Sequence, residues 1–310
     1  TVTFDAGAIV SSAGSLLTTG GSANFAMPTA NFTHTGPIVT TGGAVTFTPA
    51  INVPALDLSG GSTTFSNNVT AASFTQTGGE LGGSGTLTLG TGAHSWSGSG
   101  FGYWSGGGAV IVPSGASLTL SGTGPGNTFA GRSLQIDSGG TVSITGRVEL
   151  DAGTNAITNA GTLNLSASEI GHGWNSIGNL SLSNSGILNK TGSNPTVLGT
   201  GGSSVNLTNT STLNISAGTL NHASGSGSHA GTLNVLASAA YQTGGAAVTF
   251  DAGAIVSSAG TLLTTGGSAS FAMPTANFTH TGPIVTSGGA VTFTPAINVP
   301  ALDLSGGSTT

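Results

Sequence analysis

The stretch Gly161-Thr162-Leu163-Asn164-Leu165-Ser166 decides how this chain is read. Apolar, polar and apolar residues alternate after a glycine, so Leu163 and Leu165 point to one side of a strand and Asn164 to the other. The same short phrase returns as Val142-Ser143-Ile144, Leu213-Asn214-Ile215 and Leu233-Asn234-Val235, and as Leu87-Thr88-Leu89 and Leu118-Thr119-Leu120. Val45-Thr46-Phe47, Leu56-Asp57-Leu58, Val248-Thr249-Phe250 and Val291-Thr292-Phe293 extend the set. From Leu118 the intervals run to Val142, Leu163, Leu188, Leu213 and Leu233, steps of 24, 21, 25, 25 and 20 residues.

Such a rhythm predicts an all-β chain, a right-handed parallel β-helix (β-solenoid) with coils of roughly 20–25 residues, each made of two or three short strands. Glycine-rich corners such as Gly139-Gly140, Gly201-Gly202 and Gly244-Gly245 permit sharp bends. Leu, Ile, Val and Phe would form files in the lumen, and Thr and Asn would form outer ladders. Asn164, Asn189, Asn214 and Asn234 either align into a hydrogen-bonded amide column along the axis or are polar residues that suit an outer position.

A far longer period lies over the short one. Val2–Thr64 matches Val248–Thr310 at an offset of 246 residues, and 3 of the 63 positions differ: Ser15/Thr261, Asn24/Ser270 and Thr41/Ser287. Long internal repeats mark arrays stabilised by stacking on neighbours. The chain therefore reads as residues 1–247, one full unit of a continuous solenoid, and 248–310, the start of the next. At about twenty residues per coil, one unit holds about twelve coils and spans roughly 55–60 Å.

Composition narrows the class. Lys and Arg number 3 and Asp and Glu 9, for a net charge of −6. So few cations cannot neutralise a run of phosphates or hold an anionic membrane surface, which excludes nucleic-acid binding. With 55 glycines the chain still has 36% hydrophobic residues, more than a disordered chain carries. There is no cysteine, and no apolar run approaches the ~20 residues of a membrane span.

The phrases Gly161–Ser166 and Gly231-Thr232-Leu233-Asn234-Val235 resemble the passenger repeats of bacterial autotransporters and filamentous-haemagglutinin-like adhesins. Leu81-Gly82-Gly83-Ser84-Gly85-Thr86-Leu87-Thr88-Leu89 resembles the repeats of very large bacterial surface proteins. The resemblance implies export to the cell surface by signals outside this sequence, with roles in adhesion, biofilm or fibre formation. It transfers no catalytic residue, metal or cofactor. Passenger repeats vary from coil to coil, whereas this 246-residue block recurs nearly unchanged, which suits a fibre of equivalent segments. The leading expectation is a non-enzymatic structural segment whose partner is itself, end to end and laterally.

Three side-chain groups are weighed against that reading. The aromatics His94, Trp96, Phe101, Tyr103 and Trp104 sit in a Gly/Ser-rich stretch, and the long interval from Leu87 to Leu118 suggests a loop leaving the coil. Trp96, Phe101, Tyr103 and Trp104 there could stack on a surface polysaccharide or on a neighbouring fibre, or fold inward. Arg147, Glu149 and Asp151 share one face of a strand, at a carboxylate spacing that glycosidases use, or form an exposed ion pair. Glu169, His172 and Trp174 bring too few ligands together for a metal site.

Overall fold

In the computed structural model the Leu-Asn-Leu phrases become strands that pair with the coils before and after them. The structure describes residues 1–98, 102–122, 127–171, 177–294 and 301–310. In Thr162–Leu165 the two leucines are fully buried and Asn164 is half-buried. This strand pairs in parallel with Thr141–Ile144 on one side and Ile187–Lys190 on the other. The registers Leu118↔Val142, Val142↔Leu163, Leu163↔Leu188, Leu188↔Leu213 and Leu213↔Leu233 reproduce the sequence intervals.

Successive strands join three parallel sheets in turn, giving a β-solenoid. In chain order within a coil, the first sheet has 15 strands, the second 13 and the third 13. At the N-terminal end of the second face, Val10–Ser12 and Phe32–His34 pair with each other as a separate two-stranded sheet. On the third sheet Ile38 pairs with Leu56 and Thr162 with Ile187, so its coils take 18 to 25 residues. Backbone hydrogen bonds run along the axis at the usual ~4.8 Å strand spacing.

The lumen is apolar, with aromatic stacks at both ends. Phe4, Phe25, Phe47 and Phe65 stack on the first sheet with ring centroids 4.7, 4.9 and 5.4 Å apart. Phe32 meets Phe25 and Phe47 edge-on. Between the ends lies an aromatic cluster of Phe74, Trp96, Trp104 and Phe129, and Leu, Ile and Val fill most of the lumen. Each such buried side chain contributes about 1.5–3 kcal/mol of transfer free energy.

The corners are narrow. At Gly43 φ is +71°, and a Cβ there would lie 2.5 Å from the Gly21 carbonyl of the coil below. At Gly61, φ +67°, it would lie 2.3 Å from the Gly43 carbonyl. Successive Gly-Gly corners stack because no larger residue fits between coils.

The unit is one strand longer than a whole number of coils. Val2–Phe4 is the first strand of the first sheet and Ala239–Thr243 the twelfth; the next strand in the chain, Ala247–Phe250, lies on the second sheet. Two hundred and forty-six residues thus make eleven coils and one strand, fewer than the twelve coils expected, since most coils in the middle of the chain exceed twenty residues. Stacking is continuous across the repeat boundary: Ala247–Phe250 pairs with Ser226–His229 and with Ser268–Phe271.

Candidate functional site

Asparagines form two amide columns along the axis, one outer and one buried. On the third sheet Asn189 donates to Asn164 Oδ1 at 2.9 Å, Asn214 to Asn189 at 2.9 Å and Asn234 to Asn214 at 2.8 Å. This is the expected outer ladder. A second ladder is buried at the corner between the second and third sheets: Asn159 donates to Asn184 Oδ1 at 2.6 Å and Asn184 to Asn209 Oδ1 at 2.7 Å. The outer amides donate toward the N-terminal end and the inner ones toward the C-terminal end. The inner amides also donate to the Ile187 and Thr212 carbonyls at 2.9 and 3.0 Å, satisfying corner groups that water cannot reach. The signal for this second ladder was present in Thr158-Asn159, Ser183-Asn184 and Thr208-Asn209, each three or four residues before an outer-ladder strand core.

Along the C-terminal part of the outer ladder and beyond it lies an open groove of about 650 Å³. Its floor is the outward column Asn189, Asn214, Asn234, Ser257 and Thr279, in register over five coils of the third sheet. Thr191, Ser216, Ala259 and Thr281 flank it, and Leu236, 55% exposed, adds an apolar edge. No charged side chain occurs among the described lining residues. Asn189 and Asn214 each donate one N–H and accept one within the ladder. A carboxamide has two N–H groups and two lone pairs, so each keeps capacity to bond something lying in the groove.

The aromatic stretch is part of the barrel wall. Gly92–Trp96 and Gly102–Ser105 are ordinary strands of the third and first sheets. Leu87 lies on the second sheet and Leu118 on the third. Their long separation therefore reflects a change of face between coils. Trp96 and Trp104 are both 0% exposed and stack on each other at 4.1 Å. Phe129 meets both edge-on, and Trp104 Nε1 donates to Gln76 Oε1 at 2.7 Å. His94 Nδ1 accepts from the Phe74 N–H at 3.1 Å, which leaves Nε2 to donate to the Gly90 carbonyl at 2.9 Å. The expectation of a surface contact through Trp96 and Trp104 is thus corrected: alternation along each strand aims both indoles into the lumen. Tyr103 faces outward and is half-buried. Phe101 lies outside the described residues, as do His172 and Trp174.

Four charged side chains, Arg132, Glu149, Asp151 and Lys190, are buried. Glu149 is 0% and Asp151 6% exposed. Arg147 lies 3.5 Å from Glu149 and pairs with Glu169, so the strand face expected to be exposed at Glu149 and Asp151 is covered, and Arg147 holds Glu149 and Glu169 together there. Arg132 is fully buried and donates to the carbonyls of Gly83, Gly85, Ser105 and Ala109 at 2.8–3.3 Å, tying three coils together. Burial lowers its pKa to about 10. Lys190 is also buried and donates to the carbonyls of Gly192 and Ala217, and burial lowers its pKa. All three basic side chains are therefore held in the structure. Arg132 and Lys190 gave no sequence signal, since their partners are backbone carbonyls.

Near the repeat boundary the lumen holds titratable groups. His229 stacks on Phe250 at 4.7 Å, and a hydrogen bond of 3.1 Å joins its Nε2 to the Tyr241 hydroxyl. Complete burial, with His222 nearby, pulls the His229 pKa down to about 3. Burial lowers His222 as well, against the opposing pull of the Val205 carbonyl, and raises Tyr241.

Fold and surface together define a parallel β-solenoid with amide and hydroxyl ladders outside and an apolar lumen. Comparison with protein-family models, with curated proteins and with solved structures finds no match for this chain. Among the described residues, no helix is long and apolar enough to cross a membrane.

Proposed function

We propose that this chain is a structural segment of an extracellular fibre or stalk of the kind bacteria assemble from tandem β-solenoid repeats. The observation that carries the reading is the uninterrupted stacking of coils across a near-verbatim 246-residue recurrence. A repeat that continues the same stack without a break gives length without limit and a uniform shaft. Load along the axis is shared by the backbone hydrogen bonds of all three sheets at each coil. Charge is sparse, 3 basic and 9 acidic residues in 310, which leaves little repulsion between shafts lying side by side. Phrases such as Gly161–Ser166 support the likeness to autotransporter passengers and filamentous-haemagglutinin-like adhesins.

Electron microscopy and small-angle scattering of the full chain test the reading. A slender rod roughly 65 Å long is expected, the span of fifteen strands at their usual spacing, associating end to end as concentration rises. A strictly monomeric species in light scattering at every concentration would overturn it.

A further inference from the structure

We propose that the third-face groove binds a neutral oligosaccharide laid along the solenoid axis, and that the site belongs to the junction between the two copies of the repeat. Its floor offers one polar side chain per coil, at the ~4.8 Å spacing of paired strands, close to the length of one sugar ring. Asn214 and Asn234 present amide groups of both hydrogen-bonding senses, and Ser257 and Thr279 present hydroxyls. Polyhydroxyl ligands need such mixed donors and acceptors, whereas an anionic chain would need cations that the described lining lacks. Leu236, exposed at the edge, offers the C–H face of a sugar an apolar contact.

The site is made by the junction itself. Ser257 and Thr279 are the counterparts of Ser11 and Thr33, which lie on strands of the second face. Asn189, Asn214 and Asn234 belong to the stretch that has no second copy in this chain. Floor and continuation meet in one column because the repeat runs one strand past a whole coil. Each junction between units would carry one groove, and each groove would be turned by one face from the last.

The test is titration calorimetry of the full chain with neutral gluco-, galacto- and manno-configured hexasaccharides, with hexagalacturonate as the acidic comparison. At least one neutral hexasaccharide should bind. Ser257→Trp, which fills the floor, should weaken it by about tenfold, the equivalent of roughly one lost contact. Ser11→Trp, the same change in the first copy, should leave affinity unchanged. Leu236→Asp, at an exposed side chain, should also weaken binding. Absence of any neutral binder, preference for hexagalacturonate, or equal effects of Ser11→Trp and Ser257→Trp would overturn the proposal. The fibre reading stands or falls separately, because rod shape does not require the groove to be occupied.

Discussion

Val2–Thr64 and Val248–Thr310 share all but three residues, yet they occupy different faces of the same solenoid. In the first copy, strands Val2–Phe4, Ser22–Phe25 and Ala44–Phe47 lie on the first sheet. Their counterparts Ala247–Phe250, Ser268–Phe271 and Ala290–Phe293 lie on the second. Leu16–Thr18 and Ile38–Thr40 move from the third sheet to the first in the same way. Local geometry hardly changes. Pro28 and Pro274 have φ −62° and −61° before matching 3-10 turns. The phenylalanine stack re-forms as Phe250, Phe271 and Phe293 at 4.5 and 4.9 Å, with Phe278 edge-on where Phe32 stood. Sequence thus sets which residues turn, extend and point inward, while the number of preceding strands sets the face.

What differs between the copies is their neighbours, and that is where the comparison can be broken. The largest effect should come from the stack. Phe47→Ala, between Phe25 and Phe65 and fully buried, should cost about 3–5 kcal/mol. Phe293→Ala, the same residue half-buried in the second copy, should cost less than half as much in denaturant melts. Equal losses would mean that stability follows sequence alone.

Acid should act at the junction. The second copy's stack continues into His229; no counterpart precedes Phe4 within this chain. With its folded pKa near 3 against an ordinary value of 6.5, His229 takes up its proton in the unfolded chain first. Stability should then fall as pH drops from about 6.5 toward 3, by about 1.4 kcal/mol per pH unit for this group. His229→Phe, extending the stack, should flatten much of that slope. An unchanged slope in melts at stepped pH would remove His229 as the cause.

A smaller contrast lies at the corners. Gly21 and Gly267 have φ +69° and +64°, but a Cβ at Gly21 meets nothing within 4 Å and one at Gly267 lies 2.1 Å from the Ala246 carbonyl. Gly21→Ala should cost about 1–2 kcal/mol of left-handed strain. Gly267→Ala should cost clearly more, because the coil beneath must move as well. Least disturbing to stability is a covalent check of the phase. Asn234 and Ser257 pair across the third sheet, at a strand spacing that suits a disulfide. Asn234→Cys with Ser257→Cys should cross-link on mild oxidation, and Asn234→Cys with Ser11→Cys should not do so within one chain. The reverse result would put the second copy on the wrong face.

Much of this was legible beforehand. The steps from Leu118 to Leu233 are the registers of the third sheet because the triplets in that series all fall on one face. The outer amide ladder followed from the same alignment. Other readings failed for a shared reason. Leu87 and Leu118 look like neighbours in one series but sit on different faces, so a normal wall was taken for a loop. Trp96 and Trp104 look like exposed aromatics in a polar stretch, but every second residue of a strand faces the lumen.

The sequence by itself determined the strand–corner rhythm, the division into inner and outer residues, and the recurrence every 246 residues, because period-two alternation and glycine corners act over a few residues. Only the tertiary structure decided which face each strand joins, that Arg132 and Lys190 are held by carbonyls from other coils, and that a groove runs along the column where Asn189, Asn214 and Asn234 continue into Ser257 and Thr279. Those depend on how many strands have accumulated along the axis and on contacts between residues some twenty or more positions apart, and no local pattern records either.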